Sequence, residues 1–170
     1  KALKNVERMI MIIDDLVNIS MLESGELALN YKKFDINALV QEVYESLEMQ
    51  ASAAQTKLAI KEGCDHVFNV YADEKLIREV LVNLISNAIK YRKLDEVNSE
   101  IVIRINVDHL RAEVTFADNG IGIDEENLTK VFEMFYRATE QSDGSGIGLY
   151  IVKNAVDKLG GQISVASRIG

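Results

Sequence analysis

Hydrophobic residues recur every three or four positions between residues 74 and 91, and this spacing predicts an amphipathic helix. Its polar face carries Glu79, Asn83, Asn87 and Lys90, which lie one turn apart on the predicted helix. Asparagine is unfavourable inside a helix because its side chain competes for backbone hydrogen bonds. Carboxamide oxygens can ligate a hard cation such as magnesium, and an ammonium group can meet a phosphate. The strip therefore suggests a nucleotide site, and a plain solvated face is the alternative.

The rest of the pattern predicts a succession of short strands and helices. Alternating positions from 27 to 34 indicate a strand, and Asp35 or Asn37 can cap a helix that runs to about residue 54. Asp73 can cap the helix that carries the asparagines. The further expected elements are strands at 57–61 and 67–71 and a hairpin of 101–107 with 110–117. A helix is expected at 125–132, another is opened by residues 144–149 and runs to about 159, and a last strand is expected at 162–166. Helices on one face of a mixed, mostly antiparallel sheet predict an α+β two-layer sandwich.

Residues 1–24 are predicted to form one long helix in front of this domain. The helix carries two adjacent apolar stripes with steps of three and four residues, as in the seam of a helical bundle. The stripes consist of Val6, Ile10, Ile13 and Val17, and of Met9, Ile12, Leu16 and Ile19. We expect them to pack against helices from a second copy or from upstream sequence, since the chain, which begins with a lysine, reads as part of a longer protein.

Composition narrows the possible partners. The formal net charge of -8 over 170 residues argues against nucleic acid and anionic membranes, whose phosphates attract basic surfaces. No apolar run reaches the roughly 18 residues of a membrane span, so no membrane contact is expected from this sequence, although a longer parent could be anchored. The single cysteine, Cys64, cannot form an internal disulfide, which favours a reducing, cytoplasmic location. With only His66 and His109 beside it, no zinc cluster is expected.

Two glycine-rich stretches are candidates for ligand contact. Asp118 ends a predicted strand, and a carboxylate there can accept a hydrogen bond from the exocyclic amine of adenine while Gly120 and Gly122 allow close backbone approach. A simple turn between strand and helix is the alternative. The second stretch, Gly144-Ser145-Gly146-Ile147-Gly148-Leu149, precedes a helix whose unpaired amide groups favour an anion. It differs from a P-loop because Leu149 stands where that motif has lysine.

The polar segment between the two glycine stretches is interpreted as a lid over a ligand. Its aromatic residues Phe132, Phe135 and Tyr136 are equally compatible with ordinary packing. Arg137 is the residue of chemical interest, because a planar guanidinium can stabilise charge on a transferring phosphoryl group.

Taken in order, these motifs resemble the catalytic ATP-binding domain of sensor histidine kinases over nearly the whole chain. Residues 83–91 resemble the N box of that family, 118–122 its first glycine box, 132–137 its F box and 144–149 its second glycine box. Residues 22–25 resemble the exit from the second helix of its dimerisation hairpin. The resemblance implies that 1–25 belong to that hairpin, that 26–170 form the ATP-binding domain, and that the ATP lid spans about 124–145.

The resemblance also implies roles for individual residues. Asn87 would bind Mg²⁺, Asn83 and Lys90 would contact the phosphates, and Arg137 would assist phosphoryl transfer from ATP. Further ATP contacts would come from Tyr91, Asp118, Gly120, Gly122, Gly144, Ser145, Gly146, Gly148 and Leu149. The expected partners are a response regulator receiver domain and, through the helical hairpin of the full-length parent, a second copy of the kinase.

Some positions depart from the family pattern. Neither His66 nor His109 has the acidic residue and nearby proline that follow the family's acceptor histidine, so the acceptor is expected on a helix outside this sequence. Arg92 stands where the family often has a small hydroxyl residue. The family's sheet also has one more strand, which is expected beyond the last residue of this sequence. Related ATPases and serine kinases carry a glutamate one turn before the magnesium asparagine, where this chain has Asn83. A degenerate kinase serving as a nucleotide-binding scaffold is the remaining alternative.

Overall fold

The computed structural model describes residues 28–61, 67–94, 98–108, 111–137 and 145–169, and eight helical positions near the start of the chain. Those eight positions are Val6, Met9, Ile10, Ile12, Ile13, Leu16, Val17 and Ser20. The apolar side chains at Val6, Met9, Ile10, Ile13, Leu16 and Val17 are between 43% and 61% exposed. The structure thus bears out helical conformation at these positions, whereas Ile19 and residues 21–27 lie outside the described residues.

Within the described residues, five strands form two sheets. In the first, β1 (Tyr31–Asp35) pairs antiparallel with β3 (Asn69–Asp73). In the second, β4 (Ser99–Val107) lies between β2 (Thr56–Ile60), to which it is parallel, and β5 (Ala112–Asp118), to which it is antiparallel. The helices are α1 (Ile36–Ala53), α2 (Glu74–Lys90) and α3 (Gly148–Lys158). This mixed arrangement of sheet and helices confirms the predicted α+β class.

Aspartate caps fix the starts of the two longer helices. Asp35 accepts a hydrogen bond from the Asn37 amide, and Asp73 accepts one at 3.0 Å from the Leu76 amide. Such caps satisfy amide groups that have no partner within the helix and stabilise it by about 1 kcal/mol. Both caps are those expected from the sequence.

The hydrophobic core lies between α1, α2 and the three-stranded sheet. Its most completely buried members include Val40 of α1, Ile85 of α2 and Ile103 of β4, each with no exposed surface. Burying a side chain of this size contributes about 1.5–3 kcal/mol. Because the apolar face of α2 is held in this way, its polar face has a fixed direction.

Two predicted elements are absent. In place of the helix expected at 125–132 there is a short 3₁₀ helix, Glu125–Asn127. Turns follow it, in which the Lys130 amide donates to the Asn127 carbonyl at 2.9 Å. The Tyr136 hydroxyl donates to the side-chain oxygen of Asn127. The strand expected at 162–166 has no strand pairing. Beyond it, Ser167 Oγ accepts a hydrogen bond from the Ile123 amide, so a side chain tethers this segment instead of a backbone ladder.

Among the helices of the described residues, none combines the length and the apolar character that crossing a bilayer requires.

An ion-pair network joins α2 to its neighbours near its first turn. Glu74 lies 2.8 Å from Lys32 Nζ of β1 and 3.4 Å from Arg78 of α2, and Arg78 lies 2.5 Å from Glu42 of α1. The hydrogen bond from Lys32, with the charges of Lys32 and Arg78, holds the pKa of the Glu74 carboxyl below its usual range. The ionised form of Glu74 is therefore favoured in the folded protein.

Replacing Glu74 by glutamine is expected to lower stability modestly and to make it less sensitive to acid. A carboxyl whose pKa is lowered on folding stabilises the protein above its unfolded-state pKa of about 4.3, and this contribution disappears as pH falls through the lower folded-state value. Thermal melts should show the Glu74→Gln variant below the wild type at pH 7 and the two converging below about pH 4. Glu113→Gln, at an exposed carboxylate of β5, is the control. A constant difference at every pH would contradict the assignment.

Candidate nucleotide site

The polar strip of α2 faces the start of α3. Asn83, Asn87 and Lys90 are all half-buried, and Asn83 Nδ2 donates to the Glu79 carbonyl at 3.0 Å. Gly148 is the first residue of α3, and a Cβ atom there would lie 3.0 Å from Asn83 Oδ1 and 3.6 Å from Asn87 Nδ2. The glycine thus lets the amide end of α3 approach both carboxamides, a combination that suits phosphate on one side and a hard cation on the other.

At the end of α2, Lys90 and Tyr91 interact with each other. The ammonium group of Lys90 lies 4.6 Å from the centre of the Tyr91 ring and donates to its hydroxyl at 3.2 Å. Arg92 Nη1 donates to the Ile89 carbonyl at 3.0 Å and so helps to satisfy the last turn of the helix. The side chain of Arg92, which departs from the family pattern, is therefore engaged by α2 itself.

The turn after β5 is attached to the end of α2. Asp118 Oδ1 accepts from the Gly120 amide at 2.9 Å, and the Ile121 amide donates to the Tyr91 carbonyl at 3.0 Å. A Cβ atom at Gly120 would lie only 2.6 Å from that carbonyl oxygen. Asp118 is exposed and uses one carboxylate oxygen within the turn, which leaves the other to accept from a ligand.

Gly122 follows the same turn with a φ of +75°, and a Cβ atom there would lie 2.0 Å from the Arg168 carbonyl oxygen. The first glycine stretch is therefore packed against the last described residues of the chain. Ser167 Oγ accepts a hydrogen bond from the amide of Ile123, the residue after Gly122. Neither Ser167 nor Arg168 was expected from the sequence to support this turn.

Gly146, just after the predicted lid, lies against residues of the F-box segment within it. Gly146 has a φ of +74°, and a Cβ atom there would lie 2.8 Å from the backbone of Phe135 and 2.9 Å from the Tyr136 carbonyl oxygen. Phe135 itself has a φ of 63°, which a residue with a side chain rarely adopts, and is 56% exposed. The neighbouring Ile147 is fully buried in a small cluster with Ile151, Met134 and Tyr150. This cluster and the contact of Gly146 with Phe135 and Tyr136 form what we call the base of the predicted lid.

Of the other predicted site residues, the structure describes Arg137, Ser145 and Leu149. Arg137 is half-buried and follows Tyr136 at the lid base. Ser145 Oγ accepts from the Ile147 amide at 3.4 Å, and Leu149 lies in the first turn of α3. Gly144 lies outside the described residues. The structure thus brings the α2 strip together with Gly148, joins the Asp118 turn to Tyr91, and joins Gly146 to the F-box segment.

Asn119 belongs to this region but was not predicted. Its side chain accepts from the Glu100 amide and donates to the Asn98 carbonyl, each at 2.8 Å. Because asparagine is common in turns, its position directly after a strand did not indicate that its side chain would bond to residues 98 and 100.

A family model described as histidine kinase-, DNA gyrase B- and HSP90-like ATPase matches residues 72–170. The matched region contains every predicted site residue. Among curated proteins, the chain is 29% identical to the circadian input-output histidine kinase CikA of Synechococcus elongatus over 169 residues, which cover 96% of this chain and 22% of CikA. The chain therefore spans about a fifth of that relative.

Solved structures give the same picture. The fold matches the Acinetobacter baumannii histidine kinase AdeS with a TM-score of 0.73 and 28% identity, over 91% of this chain and 70% of the other. It also matches histidine kinase ThkA in a complex with the response regulator TrrA, with a TM-score of 0.72 over 93% of this chain and 42% of that one. At 22% identity, the second match concerns the fold alone.

Proposed function

This chain belongs to the histidine kinase-, DNA gyrase B- and HSP90-like ATPase family and carries the catalytic ATP-binding domain of sensor histidine kinases; from this premise we propose how its residues act. The domain, which we delimit as residues 26–170, binds magnesium-ATP on the polar face of α2. It transfers the γ-phosphoryl group to a histidine on a dimerisation helix outside this sequence. The phosphoryl group then passes to a response regulator receiver domain.

The observation that carries this proposal is the approach of α3 to the carboxamides of α2. Gly148 allows the amide end of α3 to lie against Asn83 and Asn87, and Lys90 follows on the same strip. The helix end and Lys90 would attract the phosphates, and the Asn87 oxygen suits a magnesium ion. When bound, that ion would neutralise phosphate charge. The guanidinium group of Arg137, at the base of the predicted lid, would stabilise the charge on the transferring phosphoryl group.

The nature of residue 83 favours phosphoryl transfer over hydrolysis. Asn83 stands one turn before Asn87, and a carboxamide cannot take a proton from water or from a hydroxyl group. Its amide already donates to the Glu79 carbonyl, which orients the side chain within the helix. The catalysis we propose therefore depends on positioning and charge stabilisation, and an acceptor histidine does not need a strong base in the domain.

Partners and location follow from the same proposal. The apolar side chains exposed along the helical positions between Val6 and Val17 would pack in the dimerisation hairpin of the parent protein. A response regulator receiver domain would be the second partner, as the similarity to sensor histidine kinases implies. We place the domain in the cytoplasm, because a lone cysteine and an ATP substrate both suit that compartment.

A labelling experiment tests the transfer reaction. The chain is incubated with magnesium and γ-labelled ATP, alone and with a separately produced helical hairpin from a kinase of the same family that contains an acceptor histidine. We expect acid-labile, base-stable label on the hairpin and none on this chain. Label on His66 or His109, or no label on the hairpin despite ATP binding, would contradict the proposal. The second of these outcomes would favour a nucleotide-binding scaffold.

The assignment of Asn87 to magnesium predicts a specific loss. Asn87→Ala should weaken ATP binding about tenfold with magnesium and change it little in excess chelator, because the lost oxygen acts only on the metal-bound form. Calorimetric titrations in both conditions measure this. Asn154→Ala is the control, because it also removes a carboxamide from a helix, α3. Asn154 Nδ2 donates to the Tyr150 carbonyl one turn earlier, the same kind of bond that Asn83 Nδ2 makes with the Glu79 carbonyl. Equal losses with and without magnesium would refute the metal role.

A further inference from the structure

Asn119 continues the β4–β5 ladder with its side chain. The last registered pair of the ladder is Ile101 with Asp118, so Glu100 and Asn119 come next. The Asn119 amide donates to the Glu100 carbonyl at 3.4 Å, but the Glu100 amide donates to Asn119 Oδ1, at 2.8 Å. A carboxamide oxygen thus takes the place of a backbone carbonyl. The main chain keeps one backbone bond at Asn119 and leaves the sheet after that residue.

The same side chain holds the residue before β4. Asn119 Nδ2 donates to the Asn98 carbonyl at 2.8 Å, so both polar atoms of the carboxamide are used. Glu100 is itself fixed to β2, where its carboxylate lies 3.3 Å from Lys57 and 3.6 Å from Lys61. Asn119 is therefore bonded to a part of β4 that is itself held by the ion pairs of Glu100 with Lys57 and Lys61.

A second anchor acts on the other side of the turn. Beyond Gly120, the Ile121 amide donates to the Tyr91 carbonyl at the end of α2. Gly120 consequently lies between a side-chain anchor at Asn119 to the start of β4 and a backbone anchor at Ile121 to α2, and Asp118 directly precedes the first of them. The direction of the Asp118 carboxylate depends on this turn, because one of its oxygens accepts from the Gly120 amide.

We propose that Asn119 is the positioning residue that aims the Asp118 carboxylate at the base of the nucleotide and thereby sets the preference for adenine. This rests on the proposed function and on the role expected for Asp118 from the sequence, that its carboxylate accepts a hydrogen bond from the exocyclic amine of adenine. Asn119 does not touch the ligand. Without its side chain, the turn keeps the anchor to Tyr91 and the backbone bond from residue 119 to Glu100, but it loses the two side-chain bonds to residues 98 and 100.

Base discrimination is the readout that separates positioning from general stability. Inosine triphosphate (ITP) has a carbonyl oxygen where ATP has the amine, so a well-aimed carboxylate favours ATP and disfavours ITP. Both nucleotides are titrated with magnesium into the wild type and into Asn119→Ala, Asn119→Asp and Asn106→Ala. Asn106 pairs with Glu113 at the opposite end of the same ladder and is the control.

We expect Asn119→Ala to reduce the ratio of ATP to ITP affinity about tenfold, and Asn119→Asp, which keeps the acceptor for the Glu100 amide, to give an intermediate ratio. Asn106→Ala should keep the wild-type ratio. A wild-type ratio in Asn119→Ala, or in Asn119→Asp if the alanine variant does not fold, would overturn the inference even if the melting temperature falls. A wild type without preference for ATP would instead refute the role proposed for Asp118.

Discussion

Replacing Asp118 by asparagine should weaken ATP binding by about ten- to a hundredfold while leaving the fold intact. The Gly120 amide donates to Asp118 Oδ1, so the variant will keep an oxygen at that position and turn its new amide group toward the ligand. That amide is a donor facing the donor amine of adenine, and the charged acceptor is lost. Hydrogen bonds to charged groups contribute about 1.5–3 kcal/mol, which corresponds to the expected change in affinity.

The same substitution should invert the base preference. The new amide can donate to the carbonyl oxygen of inosine, so ITP should bind the variant at least as well as ATP does. Asp124→Asn is a matched control, because Asp124 Oδ1 also accepts from the amide two residues ahead, that of Glu126. Calorimetry with both nucleotides measures the two effects. An Asp118→Asn variant with wild-type affinity and preference would show that Asp118 only shapes the turn.

Substitution of Gly146 by alanine should reduce both ATP binding and stability. At a φ of +74°, a Cβ atom costs about 1–2 kcal/mol by itself, and here it would also lie within 3 Å of the backbone of Phe135 and Tyr136. The lid base would have to separate, which would displace the buried Ile147 and the start of α3. We expect ATP affinity to fall at least tenfold.

Gly160 supplies the control for the backbone term. It has a φ of +73°, but a Cβ atom there would have no neighbour within 4 Å. Gly160→Ala should therefore show the stability cost of the positive φ and leave ATP affinity unchanged. Thermal melts and titrations of the two variants separate the contributions. Similar losses of stability and unchanged ATP affinity in both variants would show that the packing of the lid base does not support the nucleotide site.

Local patterns were sufficient to predict the central helix and its polar strip. The positions of Asn83, Asn87 and Lys90 follow from the helical period, and Asp35 and Asp73 are caps that a sequence displays directly. The order of the motifs was enough to indicate the family. These features depend on residues within a few positions of one another, which is the range over which periodicity and capping act.

The features that sequence reasoning missed depend on distant residues. Asn119 bonds to residues 98 and 100, and Gly122 is packed against Arg168, contacts that no local pattern encodes. The expected helix after Asp124 gives way to turns, and the Asn127 side chain there is bonded to Tyr136 nine residues later. The predicted single sheet consists of two hydrogen-bonded sheets, because β1 pairs with β3 alone.

The position of α2 between the two sheets has a consequence for how this domain evolves. The helix contacts β1 and β3 of one sheet, β4 and β5 of the other, and the helices α1 and α3. A ligand held on its polar face is therefore linked thermodynamically to the whole fold, and at a hundred times its Kd it would add about 2.7 kcal/mol to the free energy of unfolding. Selection for nucleotide affinity is therefore also selection for stability against unfolding. Mutations that weaken the core can persist in a cell where ATP is plentiful.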